Sequence, residues 1–254
     1  MKSIREEDSG IGGYKVWIML KDLFPEGWMP GRDTFFSIMR RYGMMLKRPK
    51  PRHTTNSNHH FHKYKNLIKD FSPISPNQLW VSDITYIDLE EGCCYLHLVT
   101  DAYSRKIVGW CLAPRLEADY TLRALRKAIS QVPDADFSQL IHHSDRGIQY
   151  CCNKYVGELN KYGVRISMTE DYKPTDNAIA ERVNGIIKQE LVYRDNKFCN
   201  IEQARSKIGN FIDFYNNRRP HMSIGMQTPA EAYSQTGTQR QLWKSFQKKD
   251  EIGK

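Results

Sequence analysis

The sequence predicts an α/β domain built on a mixed sheet and preceded by a small helical module of helix-turn-helix type. Three observations carry that prediction. From Leu79 the chain runs through three short β-rich segments, "LWVSDITYIDL" (79–89), "CCYLHLVTDAY" (93–103) and "RKIVGWCLA" (105–113). After them, helical and strand-like segments alternate, the signature of a sheet with crossover helices. Before them, apolar residues recur at helical spacing.

Each element has a local reason. Residues 12–24 place Tyr14, Trp17, Leu20 and Phe24 at helical intervals, and 31–46 do so with Phe35, Ile38, Met39 and Met45 after a Pro30-Gly31 break. Two short helices joined by a turn form the module over 1–46. Residues 47–78 are rich in Pro, Asn, Ser, Lys and His and read as a basic linker lying on a surface. His59, His60 and His62 have no acid or cysteine close by, so they are not read as a metal site. The Glu91-Gly92 break makes the first two strands a hairpin. A helix at 117–131, the strand 140–144, a helix near 153–162, the strand 164–169 and a helix near 177–194 complete a core over 79–195. Over 196–235, Ile201, Ala204, Ile208, Phe211, Ile212 and Tyr215 fall on one helical face, and Asn200 with Gln203 has capping-box spacing. A basic tail, 236–254, closes the chain.

Composition narrows the function classes. The chain has 254 residues, net charge +9, and 40% hydrophobic residues. No run approaches the roughly 18 apolar residues a membrane span needs, and Met1-Lys2-Ser3 begins no signal peptide, so a cytoplasmic protein is expected. Six cysteines without a C-x-x-C pattern suit buried reduced thiols rather than zinc or disulfides. Charge is unevenly spread. Residues 1–78 carry 14 Lys/Arg against 7 Asp/Glu, residues 79–195 carry 14 against 17, and residues 196–254 carry 10 against 5. Basic arms around an acidic centre suit a polyanion gripped on both sides of a site that needs carboxylates; they equally suit plain solubility.

Three acids raise a sharper question. Period-2 geometry puts Leu79, Val81, Asp83, Thr85, Ile87 and Leu89 on one strand face, with Asp83 at the centre of an otherwise apolar surface. A carboxylate there needs a metal or an ion-pair partner. Asp145 follows the apolar "LIHHS" and precedes Arg146-Gly147, where a turn or cap residue is also a sufficient reading. In "PTDNAIAERVNGIIKQE" (174–190), Ile179, Val183, Ile186 and Ile187 form a buried stripe after the helix-start residues Pro174, Thr175 and Asp176. Asn177, Glu181, Asn184 and Lys188 lie within about 60° of each other on the opposite side. That narrow row reads either as a solvated face or as the wall of a site.

The spacing of the acids, with 61 residues between Asp83 and Asp145 and 35 between Asp145 and Glu181, joins longer stretches. These are "WVSDITYI" (80–87), "YLHLVTDAYSRKIVGW" (95–110), "HSDRGIQY" (143–150), "ISMTEDYKPTDNAIAERVNGIIKQE" (166–190) and "FYNNRRPHMSIGMQTPAEAY" (214–233). With these stretches the chain resembles, over residues 10–235, the DDE transposases of the IS3 family, whose catalytic domain is shared with retroviral integrases. The resemblance implies an RNase H-like fold with a five-stranded mixed sheet flanked by helices. It also implies metal-dependent cleavage and strand transfer at insertion-sequence ends, with Asp83, Asp145 and Glu181 as the catalytic triad.

By the same resemblance, two Mg²⁺ ions, replaceable by Mn²⁺, would be held by the triad, Asp83 bridging both, Asp145 on one and Glu181 on the other. Lys188 would contact a phosphate near the scissile bond, with Asn177 and Asn184 along the same DNA-facing row. Arg218, Arg219 and His221 in "YNNRRPH" would be a second backbone contact, against the alternative of capping and pairing at the end of the last helix. Lys47, Arg48, Lys50 and Arg52 would grip DNA from the linker. Partners implied are double-stranded DNA, further copies of the chain during transposition, and an upstream OrfA-type segment that reads the element ends; a bacterial, nucleoid-associated location follows. The competing readings are a DNA-binding regulatory or inhibitory subunit with the same fold, and an RNase H-like nuclease without strand transfer.

Overall fold

The computed structural model describes residues 1–25, 27–46, 60–133, 135–170, 177–194, 197–239 and 242. A five-stranded sheet in the order β3-β2-β1-β4-β5 forms its centre. β1 (Leu79–Asp88), β2 (Cys93–Asp101) and β3 (Ile107–Ala113) make an antiparallel meander, while β4 (Ile141–Ser144) and β5 (Arg165–Met168) add in parallel on the other side of β1. The expected mixed sheet is present. β2 and β3 are shorter than the residue pattern suggests. Ser104 donates to Asp101 Oδ1 through its backbone N and its hydroxyl at 2.8 and 2.6 Å, and Arg105 has φ 68°, so 102–106 is a tight turn.

Alternation along the strands separates two layers. Trp80, Val99 and Val108 pack with Leu122 and Leu125 of α4 (Ala118–Ser130) and with Tyr155 and Leu159 of α6 (Asn153–Lys161). Gly109 is required there: a Cβ on it would lie 2.2 Å from the Ala124 carbonyl oxygen of α4. On the other face, Ile87, Leu96 and Leu98 pack against Val183 and Ile187 of α7 (Ala178–Ile187) and against Ile208, Phe211 and Tyr215 of α8 (Ile201–Asn217). Asp83 therefore points into the α7 layer. At the start of α8, Asn200 Oδ1 accepts from Gln203 N at 2.9 Å, while Gln203 Oε1 accepts from Cys199 N, one residue earlier than a strict capping box.

The N-terminal module holds α1 (Lys2–Glu7), which the apolar spacing did not mark, then α2 (Gly13–Lys21) and α3 (Arg32–Arg41). Its core of Ile4, Ile11, Val16, Phe35 and Met39 is completed by Phe214 of α8, so the module docks on the central domain. Gly10 meets the π-helical turn Lys188–Val192 that follows α7: a Cβ on it would fall 2.1 Å from the Glu190 Cα.

Residues 65–67 run beside β5. Asn66 N donates to Glu170 Oε1 and Leu67 N to Ser167 Oγ, each at 2.9 Å. All six cysteines are free; Cys94 and Cys151 are buried as expected, but Cys93 and Cys199 are exposed, because they sit at a strand end and a loop. Among the described residues no helix is long and apolar enough to cross a membrane.

Candidate active site

The sheet brings two of the acids together by register alone. β1 and β4 are parallel with Val81 opposite His143, so two residues further on each strand Asp83 and Asp145 lie side by side. Asp145 leaves β4 at its C-terminal end, and Gly147 N donates to its Oδ1 at 2.9 Å. A Cβ on Gly147 would crowd that oxygen at 3.0 Å. The chain then turns into α5 (Ile148–Cys151), a short helix the pattern did not predict.

α7 crosses β1 and delivers the third acid. Its N-cap, Asn177, donates from Nδ2 to the Ser82 carbonyl at 3.0 Å, and Asn184 donates from Nδ2 to Asp83 Oδ2 at 2.7 Å. Both asparagines are buried, and the Oδ1 of each has no hydrogen-bond partner among the described residues. In this arrangement they fasten the helix to the strand. Glu181, on the same row, is exposed above them.

Electrostatics link the three acids. The Asp83 carboxyl is pushed up to about 7, by burial first and then by Asp145, with Glu181 adding; the Ile84 N–H and Asn184 oppose the rise. Asp83 and Asp145, after burial, also hold the Tyr150 phenol well above its ordinary value. Among the described residues no basic side chain forms an ion pair with Asp83, although Lys188 feels its charge. Below the acids, His142 bonds Ser82 and Tyr155 at 2.8 and 2.9 Å, and burial lowers it to about 3; it is a neutral core residue.

The remaining expected contacts separate. Lys188 is half-buried, its Nζ 4.1 Å from the Tyr86 ring centroid, and burial lowers its pKa while Asp83 and Asp88 raise it. Arg218 is exposed and pairs with Glu7. Arg219 is 1% exposed, bidentate to Glu190 at 2.6 Å on both arms, and 3.8 Å from Asp8. His221 is buried beside it, its ring packed on Tyr215. The guanidinium of Arg219 is thus satisfied by buried acids, the pairing alternative at the end of the last helix. Lys47, Arg48, Lys50 and Arg52, like Pro174, Thr175 and Asp176, lie outside the described residues.

The donors suit a hard divalent cation. They are oxygen-only, carboxylates of like charge converge, and unpartnered amide oxygens lie buried beside them. Among the described residues, no three His, Cys, Asp or Glu side chains are yet drawn close enough to hold an ion.

Two family models, both described as integrase core domain, match residues 74–174 and 162–229. A Mycobacterium tuberculosis protein named as a transposase for the insertion sequence element IS986/IS6110 is 33% identical over 91% of this chain and 84% of its own length. Transposase InsF for insertion sequence IS3A of Escherichia coli is 34% identical over 65% of this chain and 57% of its own. Among solved structures, the HTLV-2 integrase catalytic core domain in complex with magnesium superposes with a TM-score of 0.50 at 17% identity, covering 64% of this chain and 99% of that one. The likeness to that core bears out the RNase H-like expectation for the fold.

Proposed function

Because the chain belongs to the insertion-sequence transposases that carry the integrase core domain, we propose that Asp83, Asp145 and Glu181 catalyse metal-dependent DNA cleavage and strand transfer at the ends of an insertion sequence. The single observation that carries this reading is the register of β1 and β4, which sets Asp83 beside Asp145 below α7, the helix that bears Glu181, so that like charges gather and raise the Asp83 carboxyl. Such a cluster is costly in the free protein and is repaid when a divalent ion joins it.

A bound pair of Mg²⁺ ions would activate the attacking oxygen and relieve charge at the leaving 3′ oxygen. The chain's own part is positioning. Asn184 and the Ile84 N–H orient the Asp83 carboxylate as an acceptor, and the Gly147 N–H orients Asp145. Glu181 is carried on a helix pinned to β1 at Asn177, so α7 can bring it toward the aspartates as a unit. No side-chain general base and no covalent enzyme intermediate are needed: a water, then a freed DNA 3′-OH, is the nucleophile. Lys188, two turns beyond Glu181, meets a backbone phosphate as a point charge. In this reading further copies of the chain and an upstream OrfA-type segment supply pairing and recognition of the ends, since phosphate contacts alone carry no sequence information.

The test is joining of a labelled oligonucleotide, ending in the element's own terminus, to plasmid DNA. Joined product with Mg²⁺ or Mn²⁺ and none with EDTA is expected. Strand cleavage without joining would favour the nuclease reading, and DNA binding without either reaction would favour a regulatory subunit.

A further inference from the structure

α7 has a second face, turned away from Asp83. Ile179, Arg182, Val183 and Ile186 line a cavity of about 640 Å³ with α2, the β2–β3 turn and the segment after α8. Its polar wall holds Lys15, Arg105, Arg182 and Arg219, with His221 among them, and among the described residues no acid lines it. Burial, followed by Arg219, Lys15, Arg105 and Arg182, holds His221 well below its ordinary value.

The acids that answer these cations stand behind the wall. Glu190 takes Arg219 and lies 3.6 Å from Lys15, Asp8 lies 3.8 Å from Arg219, and Asp101 lies beyond Arg105. Arg182 is different. It is exposed and makes no hydrogen bond or ion pair among the described residues. The other wall is apolar: Ile179, Val183 and Ile186 run along the helix, Met222 stands 39% exposed, and the Tyr215 ring is wholly buried.

We propose that this cavity is a nucleotide subsite, taking one nucleoside monophosphate unit with its phosphate on Arg182 and Lys15 and its base on the Ile179–Ile186–Met222 wall. The volume falls within the range of roughly 300–1,000 Å³ usual for small-molecule pockets. A guanidinium without a counter-ion among the described residues matches a phosphate bidentately. A bare anion would leave the apolar wall wet, whereas a base covers it. The choice of a nucleotide rests on the nucleic-acid reading of the neighbouring carboxylate site; the cavity and its charge do not. The unit can come from the free nucleotide pool or from an unpaired end of a DNA strand.

Titration calorimetry of the full chain in EDTA separates this from the catalytic reading, because no metal-dependent step is involved. The probes are dAMP, deoxyadenosine, inorganic phosphate and a 5′-phosphorylated single-stranded hexamer. dAMP is expected to bind at least about tenfold more tightly than deoxyadenosine or phosphate. Arg182→Ala, a surface change, is expected to weaken it by about tenfold or more, and Met222→Trp to block it by filling the space beside that wall. Glu181→Gln leaves it unchanged. Tighter capture of the hexamer than of dAMP assigns the unit to a DNA strand, and equal affinity assigns it to the free pool. The proposal is overturned if dAMP binds no better than deoxyadenosine or phosphate, or if both Arg182→Ala and Met222→Trp bind it as the unaltered chain does. Loss of joining activity with dAMP binding intact would count against the triad alone.

Discussion

Asn184 donates from Nδ2 to Asp83 Oδ2 at 2.7 Å while its own Oδ1 stays buried without a partner among the described residues. This bond ties α7 to β1. It also opposes the rise of the Asp83 pKa that burial and Asp145 cause, since a donor to a carboxylate favours the ionised form.

Asn184→Ala should therefore move the Asp83 midpoint above about 7, read by carboxyl-carbon NMR titration in EDTA. An unmoved midpoint would show that the bond does not tune the acid. The sign of the stability effect follows. The folded pKa of Asp83 is raised above its ordinary value of 3.8, so its contribution is full below that value and is lost as pH rises through about 7. Asp83→Asn should remove that loss and stabilise the metal-free protein at pH 8 by roughly 1–3 kcal/mol, discounted for partial exposure. Added Mg²⁺ should narrow the difference.

The second charged centre holds the N-terminal module. Arg219 joins Glu190 and Asp8 in the interior, whereas its neighbour Arg218 meets Glu7 at the surface. Arg219→Met strands two buried acids and should cost about 3–5 kcal/mol, while Arg218→Ala should cost under about 1 kcal/mol. Equal losses in urea denaturation would refute the distinction. Asp8 is pushed up to about 8 by burial and by Glu190, which shares a hydrogen bond with it. Its contribution is thus complete below about 4 and lost as pH rises through about 8. Asp8→Asn should flatten the stability profile across that window.

Lys188 lies over Tyr86 on the same side of α7 as Asn184. If it meets one phosphate, Lys188→Ala should weaken DNA binding about equally for all sequences and reduce the salt slope by about one. A slope identical to that of the unaltered chain would leave Lys188 as a ring-stacked surface residue.

Much of this was legible in the residues and some was not, for identifiable reasons. Alternation in 79–89 placed Asp83 on an apolar face, and the sheet bears that out because burial on one face forces the period of two. The row Asn177, Glu181, Asn184 and Lys188 was visible as a row, yet not its split into two buried anchors and two more open groups, since helix spacing says nothing of what lies opposite. Arg219 read as part of a basic run because its partners are 29 and 211 residues away in the chain. α5 and α9 (Pro229–Tyr233) are too short for apolar periodicity to mark. α9 nevertheless carries a legible sign, the capping box of Thr228 and Glu231 with Pro229 between them.

The most direct test of the account is the joining assay run on Asp83→Asn, Asp145→Asn and Glu181→Gln beside the unaltered chain, with folding checked by circular dichroism and DNA binding measured in parallel. Each variant is predicted to fold, to bind DNA as the parent does, and to form no joined product with either Mg²⁺ or Mn²⁺. Near-parental joining by any one of the three would contradict the assignment of the site.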